Sequence, residues 1–309
     1  MTECERIIQQ EILPEVFFRA EIVDGFEVAE QIKKVWAIEI DILLQLDKIC
    51  KRHSLRYFLI FGSLLGAVRH NGYIPWDDDL DVCMPRKDYE EFIRVAQAEL
   101  KMPYFLQIPE TDPGYYYSFA KIRNTNTTFI TEVFRYQRFN MGLLIDVFPL
   151  DVCDEREAEE NYKMISRLNM ENSTYMRMSH HNLSQKDKER VQNYKGGVPL
   201  DTYKEIQSIA SKYENQSSKK DKRIIAVFTE YSYEKMIYDF EDVSETELHD
   251  FNGLRIPIPK GYDNILRTTY GDYMKLPPVK DRGIRHSEYI IDTDRSYRDY
   301  LSDNFRDGI

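Results

Sequence analysis

The sequence is poor in cysteine and tryptophan, and it has no long apolar run. Its four cysteines, at positions 4, 50, 83 and 153, have neither redox-pair nor metal-ligand spacing. They read as free thiols, which points to a reducing compartment. The longest strongly apolar stretch, around residues 58 to 68, is about half the length that a membrane span needs. The opening "MTECERIIQQE" lacks the basic-then-apolar layout of a secretory signal. Positive charge is also short. The 42 Lys and Arg against 53 Asp and Glu leave a net charge of −11, which excludes broad attraction to nucleic acid. The expectation is a cytoplasmic protein, with at most peripheral contact at the inner face of a membrane.

What is present suits a folded enzyme. The chain has 309 residues, 42% of them hydrophobic, and 22 tyrosines that can serve a core or a ligand pocket. Ile32, Val35, Trp36, Ile40, Leu43, Leu46 and Ile49 recur at three- and four-residue steps, which predicts a helix over 28–52. Short apolar runs predict strands at 56–61, 80–84, 104–108, 115–123 and 143–150. A helix follows Pro85 over 86–100, and another is expected at 262–274. This order gives an α/β (α+β) fold, a mixed sheet flanked by helices. Residues 155–235 turn polar, charged and Met-rich. The expected organisation is a catalytic core over 1–154, a helical insertion over 155–235 that binds the acceptor, and a C-terminal part, 236–309, completing the core.

Within "FGSLLGAVRHNGYIPWDDDLDV" (61–82), four aspartates fall in five positions. Crowded carboxylates repel one another. Strand alternation would set Asp79 and Asp81 on one face, with Asp77 sharing their parity, and send Leu80 and Val82 into the core. Two acids fixed on one strand call for a cation, and Mg2+ suits a few carboxylates plus phosphate oxygens, with Mn2+ as the alternative. Asp146, alone in the apolar run "LLIDVFPL", would complete a three-acid set if its strand lay alongside. Upstream, Gly62 and Ser63 stand between a strand and a short helix, where backbone can approach a phosphate closely.

This segment resembles the LicD family signature, a branch of the nucleotidyltransferase superfamily that includes the fukutin-related proteins. "KIRNTNT" (121–127), "IDVFPLD" (145–151) and "YGDYMKLPP" (270–278) resemble later family blocks in the same order. The resemblance implies a nucleotidyltransferase-like sheet and transfer of a phospho-alcohol, typically phosphocholine from CDP-choline, onto a cell-surface glycan. Asp79 and Asp81 would bind the metal, and Asp146 would be a third ligand or the base. Arg69, Lys121 and Arg123 would be phosphate contacts, and His286 falls where family members often carry a basic block.

Competing readings stand beside these. The acids would fit an EF-hand only with Gly at 82 and Glu at 88, and the chain has Val82 and Asp88. His180 and His181 have no partner at metal-ligand spacing and read as surface residues. Tyr115, Tyr116 and Tyr117 could form a choline cage, with Tyr117 on the same strand face as Lys121 and Arg123, or could simply pack. The motif alone also permits transfer of the nucleotide itself. A non-catalytic glycan-binding protein on the same fold would be expected to lack one of the acids, and none is missing.

Overall fold

A 24-residue helix, Glu30–His53, organises the molecule. It packs against the long strand Leu143–Cys153, and its last turn carries Lys51, Arg52 and His53, which complement the negative end of the helix dipole. The structure, a computed structural model, describes all residues except 132–133, 135–136, 178–183, 193–198, 215–223, 227–231, 284–287 and 305–309.

The central sheet has seven strands. Phe58–Leu59 pairs antiparallel with Asp81–Pro85, which pairs parallel with Leu143–Cys153. On its other edge the long strand carries Ala120–Asn124 along its first half and Ile224–Ala226 at its end. Tyr104–Gln107 and Ile237–Asp239 extend these two edges. Helices Phe61–His70 and Arg86–Glu99 follow the first two strands directly. Leu80, Val82, Cys83 and Met84 are all fully buried, which fixes the orientation of the Asp81 strand by the apolar area it removes from water. The four cysteines are buried free thiols. No described helix is long and apolar enough to cross a membrane.

The expected mixed α/β architecture is therefore present, with two local differences. The strand expected over 115–123 begins only at Ala120; before it the chain is irregular and bends at 118–119, where the Tyr115 hydroxyl donates to the Phe119 carbonyl (2.8 Å). Strict alternation therefore does not apply to Tyr115, Tyr117 and Phe119. The polar stretch 155–235 does form helices, Ala158–Arg177, Gln185–Gln192 and Pro199–Ala210, but it also supplies the strand Ile224–Ala226 to the central sheet. Helix Pro199–Ala210 is tied inward by Gln207, which accepts from Arg86 (2.5 Å) and donates to the Ser118 carbonyl (2.8 Å).

Candidate active site

The acid-rich segment opens onto a pocket of about 290 Å³. Asp77, Asp79 and Asp81 line it together with Gly62 and Arg69. The alternate residues turn away: Asp78, Leu80 and Val82 are buried. The parity expected of a strand thus holds through residue 77, although the strand proper starts only at Asp81. Trp36 fixes the start of this segment from the long helix. Its indole N–H donates to the Asp77 carbonyl (2.9 Å), and its ring stacks on Tyr73 with centroids 4.6 Å apart.

Electrostatics within the group are strained. Burial pushes the Asp81 carboxyl well above its ordinary value, and repulsion from Asp79, Asp146 and Asp77 adds to that, while Lys121 opposes it. Beneath them Glu39, on the long helix, is buried and also raised, first by burial and then by the charges of Asp79, Asp78 and Asp77.

The Gly-Ser element, expected as a phosphate cradle, also shapes the acid segment. Phe61 starts its helix with φ of 51°, a left-handed conformation uncommon for a bulky residue, and its ring packs edge-on against Phe148. A Cβ on Gly62 would come within 2.6 Å of the Asp77 carboxylate, so glycine makes room for that acid. The Ser63 hydroxyl accepts the Asp81 backbone N–H (2.8 Å) and is buried; it positions the acid strand.

Asp146 is the register partner of Asp81 on the neighbouring parallel strand. On its other side it faces Lys121, whose ammonium donates to Asp146 Oδ1 (2.5 Å). Lys121 is itself buried, with its ammonium 4.7 Å from the Tyr117 ring centre and 5.0 Å from that of Phe119. Those aromatic faces therefore already hold a cation, and it comes from the chain. Arg123, expected beside the phosphates, is completely buried instead. Its Nε donates to Gln107 and its guanidinium to the Gly142 carbonyl (2.6 Å), behind the sheet edge. Arg69 does reach the pocket, where it donates to the Tyr273 carbonyl (2.7 Å); burial lowers it from its ordinary value, against the pull of Asp24, Tyr270 and Asp77. His286, like His180 and His181, lies outside the described residues.

Residues 54–199 match the family model LicD/FKTN/FKRP, nucleotidyltransferase domain. The chain is 27% identical over 277 residues to the lipopolysaccharide cholinephosphotransferase LicD of Haemophilus influenzae, covering 82% of this chain and 95% of that protein. Residues 54–199 thus carry a LicD-type nucleotidyltransferase domain. Shorter similarities reach uncharacterised proteins of Rickettsia typhi, 29% identical over 36% of this chain and 33% of the relative, and of Rickettsia prowazekii, 35% identical over 25% of each.

In this chain the side chains that could hold a divalent cation are Asp77, Asp79 and Asp81, with Asp146 next to Asp81. The donor set fits a hard ion: all oxygen ligands, held on one wall, with a repulsion that a cation would relieve. The acids do not converge on one point as they stand. Among the described residues no three acidic, His or Cys side chains are grouped closely enough to bind an ion together, and Asp146 is turned to Lys121.

Three groups of site residues were not legible as such. Part of the pocket lining comes from the far end of the chain: Tyr270, Asp272, Tyr273 and Lys275. Their block, "YGDYMKLPP", carries a family resemblance, but its sequence gives no hint of which acids it faces. Trp36 reads only as part of an apolar stripe. Glu39 offers one signal, an acid one turn from Trp36 on the buried side of a helix.

Proposed function

We propose that this chain is a LicD-type phosphotransferase that moves phosphocholine from CDP-choline to a sugar hydroxyl of lipopolysaccharide or another cell-surface glycan such as teichoic acid, with Mg2+ or Mn2+ as cofactor. The observation that carries this reading is the placement of Asp77, Asp79 and Asp81 in one pocket with Arg69, in a chain that matches nearly the whole of a lipopolysaccharide cholinephosphotransferase. The buried free thiols suit the cytoplasm, where the donor would be met.

The reaction joins the acceptor oxygen to the β-phosphorus of the donor and breaks that phosphorus's bond to the bridging oxygen, so cytidine monophosphate leaves. Asp77, Asp79 and Asp81 would hold the metal, which when bound would neutralise charge on the phosphates. Arg69 supplies a cation on the same pocket for the phosphate oxygens of the leaving cytidine monophosphate. Asp146 is the acid best placed to take the hydroxyl proton: it adjoins Asp81, and the Lys121 ammonium holds its carboxylate in one orientation. Tyr117 and Phe119 in turn hold that ammonium in place.

The test is to incubate the protein with Mg2+, a glycan acceptor and, in separate reactions, CDP-choline, CDP-ribitol, CDP-glycerol or ATP. Acceptor-dependent release of cytidine monophosphate from CDP-choline supports the proposal. Turnover of ATP alone, with nucleotide attached to the acceptor, would replace it with nucleotidyl transfer.

A further inference from the structure

Phosphocholine is a zwitterion whose two charges are separated by two carbons. A site for it must therefore offer opposite charges within a short distance, and its trimethylammonium end cannot be recognised by hydrogen bonds. Aromatic faces and a nearby negative charge are what such a cation binds. Among the described residues, two places offer aromatic faces near the acids. The first, Tyr117 with Phe119, is filled by the Lys121 ammonium. The second is the pocket wall made by the end of helix Tyr262–Tyr270 and the turn after it.

That wall has the required chemistry. Tyr270 and Tyr273 bring two rings to the pocket, and Asp272 brings a carboxylate between them in sequence. Tyr273 is held in place, since its hydroxyl donates to Asp263 (2.7 Å) and its carbonyl accepts from Arg69 (2.7 Å). Arg267 lies 5.8 Å from its ring centre, at the outer limit of a cation–π contact. Trp76 also lines the pocket, and its ring carries the Arg282 guanidinium at 4.9 Å. Gly271 turns the chain between Tyr270 and Asp272 with φ of 70°, a conformation that glycine adopts without strain. For the phosphate, Arg69 and Lys275 line the same pocket. Its volume, about 290 Å³, has room for a phosphorylated head group.

We propose that Tyr270, Asp272 and Tyr273 form the subsite for the quaternary ammonium of the transferred group, in the same pocket as the acids on its phosphate side. This rests on the phosphocholine reading above and assigns head-group selectivity to the C-terminal wall.

The experiment compares two ligands by calorimetry in the presence of Mg2+: phosphocholine, and 3,3-dimethylbutyl phosphate, in which carbon replaces the nitrogen and removes the charge while keeping the shape. The wild type is expected to bind phosphocholine about tenfold more tightly than the neutral analogue. Asp272→Asn and Tyr270→Leu should each shrink that preference to about twofold, and Tyr270→Phe, which keeps the aromatic face, should retain it. Thermal melting of each variant confirms that it is folded. An undiminished preference in both Asp272→Asn and Tyr270→Leu would overturn the subsite. Cytidine monophosphate release from CDP-choline by the wild type is measured in parallel. Its absence would overturn the functional reading, whereas release with an undiminished preference in the variants would overturn the subsite alone.

Discussion

Asp81 and Asp146 stand directly opposite each other on adjacent parallel strands, and Lys121 stands opposite Asp146 on the next strand. Three neighbouring strands thus hold an acid, an acid and a base in one row. Burial raises Asp81 first, repulsion from Asp79, Asp146 and Asp77 adds to it, and Lys121 in the same row opposes it.

For Asp81 the sign is set by its raised pKa in the folded state. The native protein binds the proton more tightly than the unfolded chain, so the stability slope with pH is negative above the ordinary value of 3.8. Metal-free protein should lose stability as pH rises through the window above that value. Asp81→Asn should flatten the loss, raise the melting temperature of the metal-free protein at neutral pH and abolish transfer. Melting curves from pH 4 to pH 8, with and without Mg2+, check this. A variant that keeps near-normal turnover would remove Asp81 from the site.

Two glycines in one helix should respond differently to the same change. An alanine at Gly62 meets only the end of the Asp77 side chain, at 2.6 Å, which can swing aside. Gly62→Ala should therefore stay folded and weaken Mg2+-dependent donor binding, because Asp77 leaves its place. An alanine at Gly66 would meet the backbone oxygen of Gly72 at 2.4 Å, which cannot move without shifting the turn. Gly66→Ala should cost about 1–3 kcal/mol or more of stability. Urea denaturation of both variants distinguishes them, and equal losses would contradict the assignment.

Tyr117 should matter to rate more than to donor affinity. Its ring faces the Lys121 ammonium, so Tyr117→Leu removes a contact of about 0.5–2 kcal/mol from the group that orients Asp146. The expectation is a lower kcat with little change in KM for CDP-choline. Steady-state kinetics decide the matter; a rise in KM with kcat unchanged would place the choline cation at Tyr117 after all.

Arg86 and Asp151 form a buried bidentate pair at 2.6 and 2.8 Å, remote from the chemistry. Arg86→Leu leaves the Asp151 charge buried without this partner and also releases Gln207. It should cost about 3–5 kcal/mol, measurable by chemical denaturation. A loss below 1 kcal/mol would show that water reaches Asp151.

Most of the fold was legible because its long elements obey simple periods. The helix Glu30–His53 and the strands around Asp81 and Asp146 are specified by apolar repeats and by a lone acid in an apolar run. Asp77, Asp79 and Asp81 were legible as a set because alternation survives in extended chain outside a formal strand. Arg123 was misread for the opposite reason. Strand parity says which face a side chain takes, but not whether that face is a pocket or the packed edge where Gln107 and Gly142 await it. The irregular 115–119 stretch holds a bond from the Tyr115 hydroxyl to the Phe119 carbonyl, a contact that no periodicity encodes. The wall from Tyr270 to Lys275 meets the acids across about 190 residues of sequence, and only the fold brings them together.

The central claim is that the acid pocket directs attack at the β-phosphorus of a CDP-alcohol. Following the phosphorus of CDP-choline by 31P NMR during turnover with Mg2+ and a glycan acceptor tests it most directly. Free cytidine monophosphate and a new phosphodiester signal on the acceptor are expected, both lost in Asp79→Asn. Free phosphocholine together with cytidylylated acceptor would mean attack at the α-phosphorus and would contradict it.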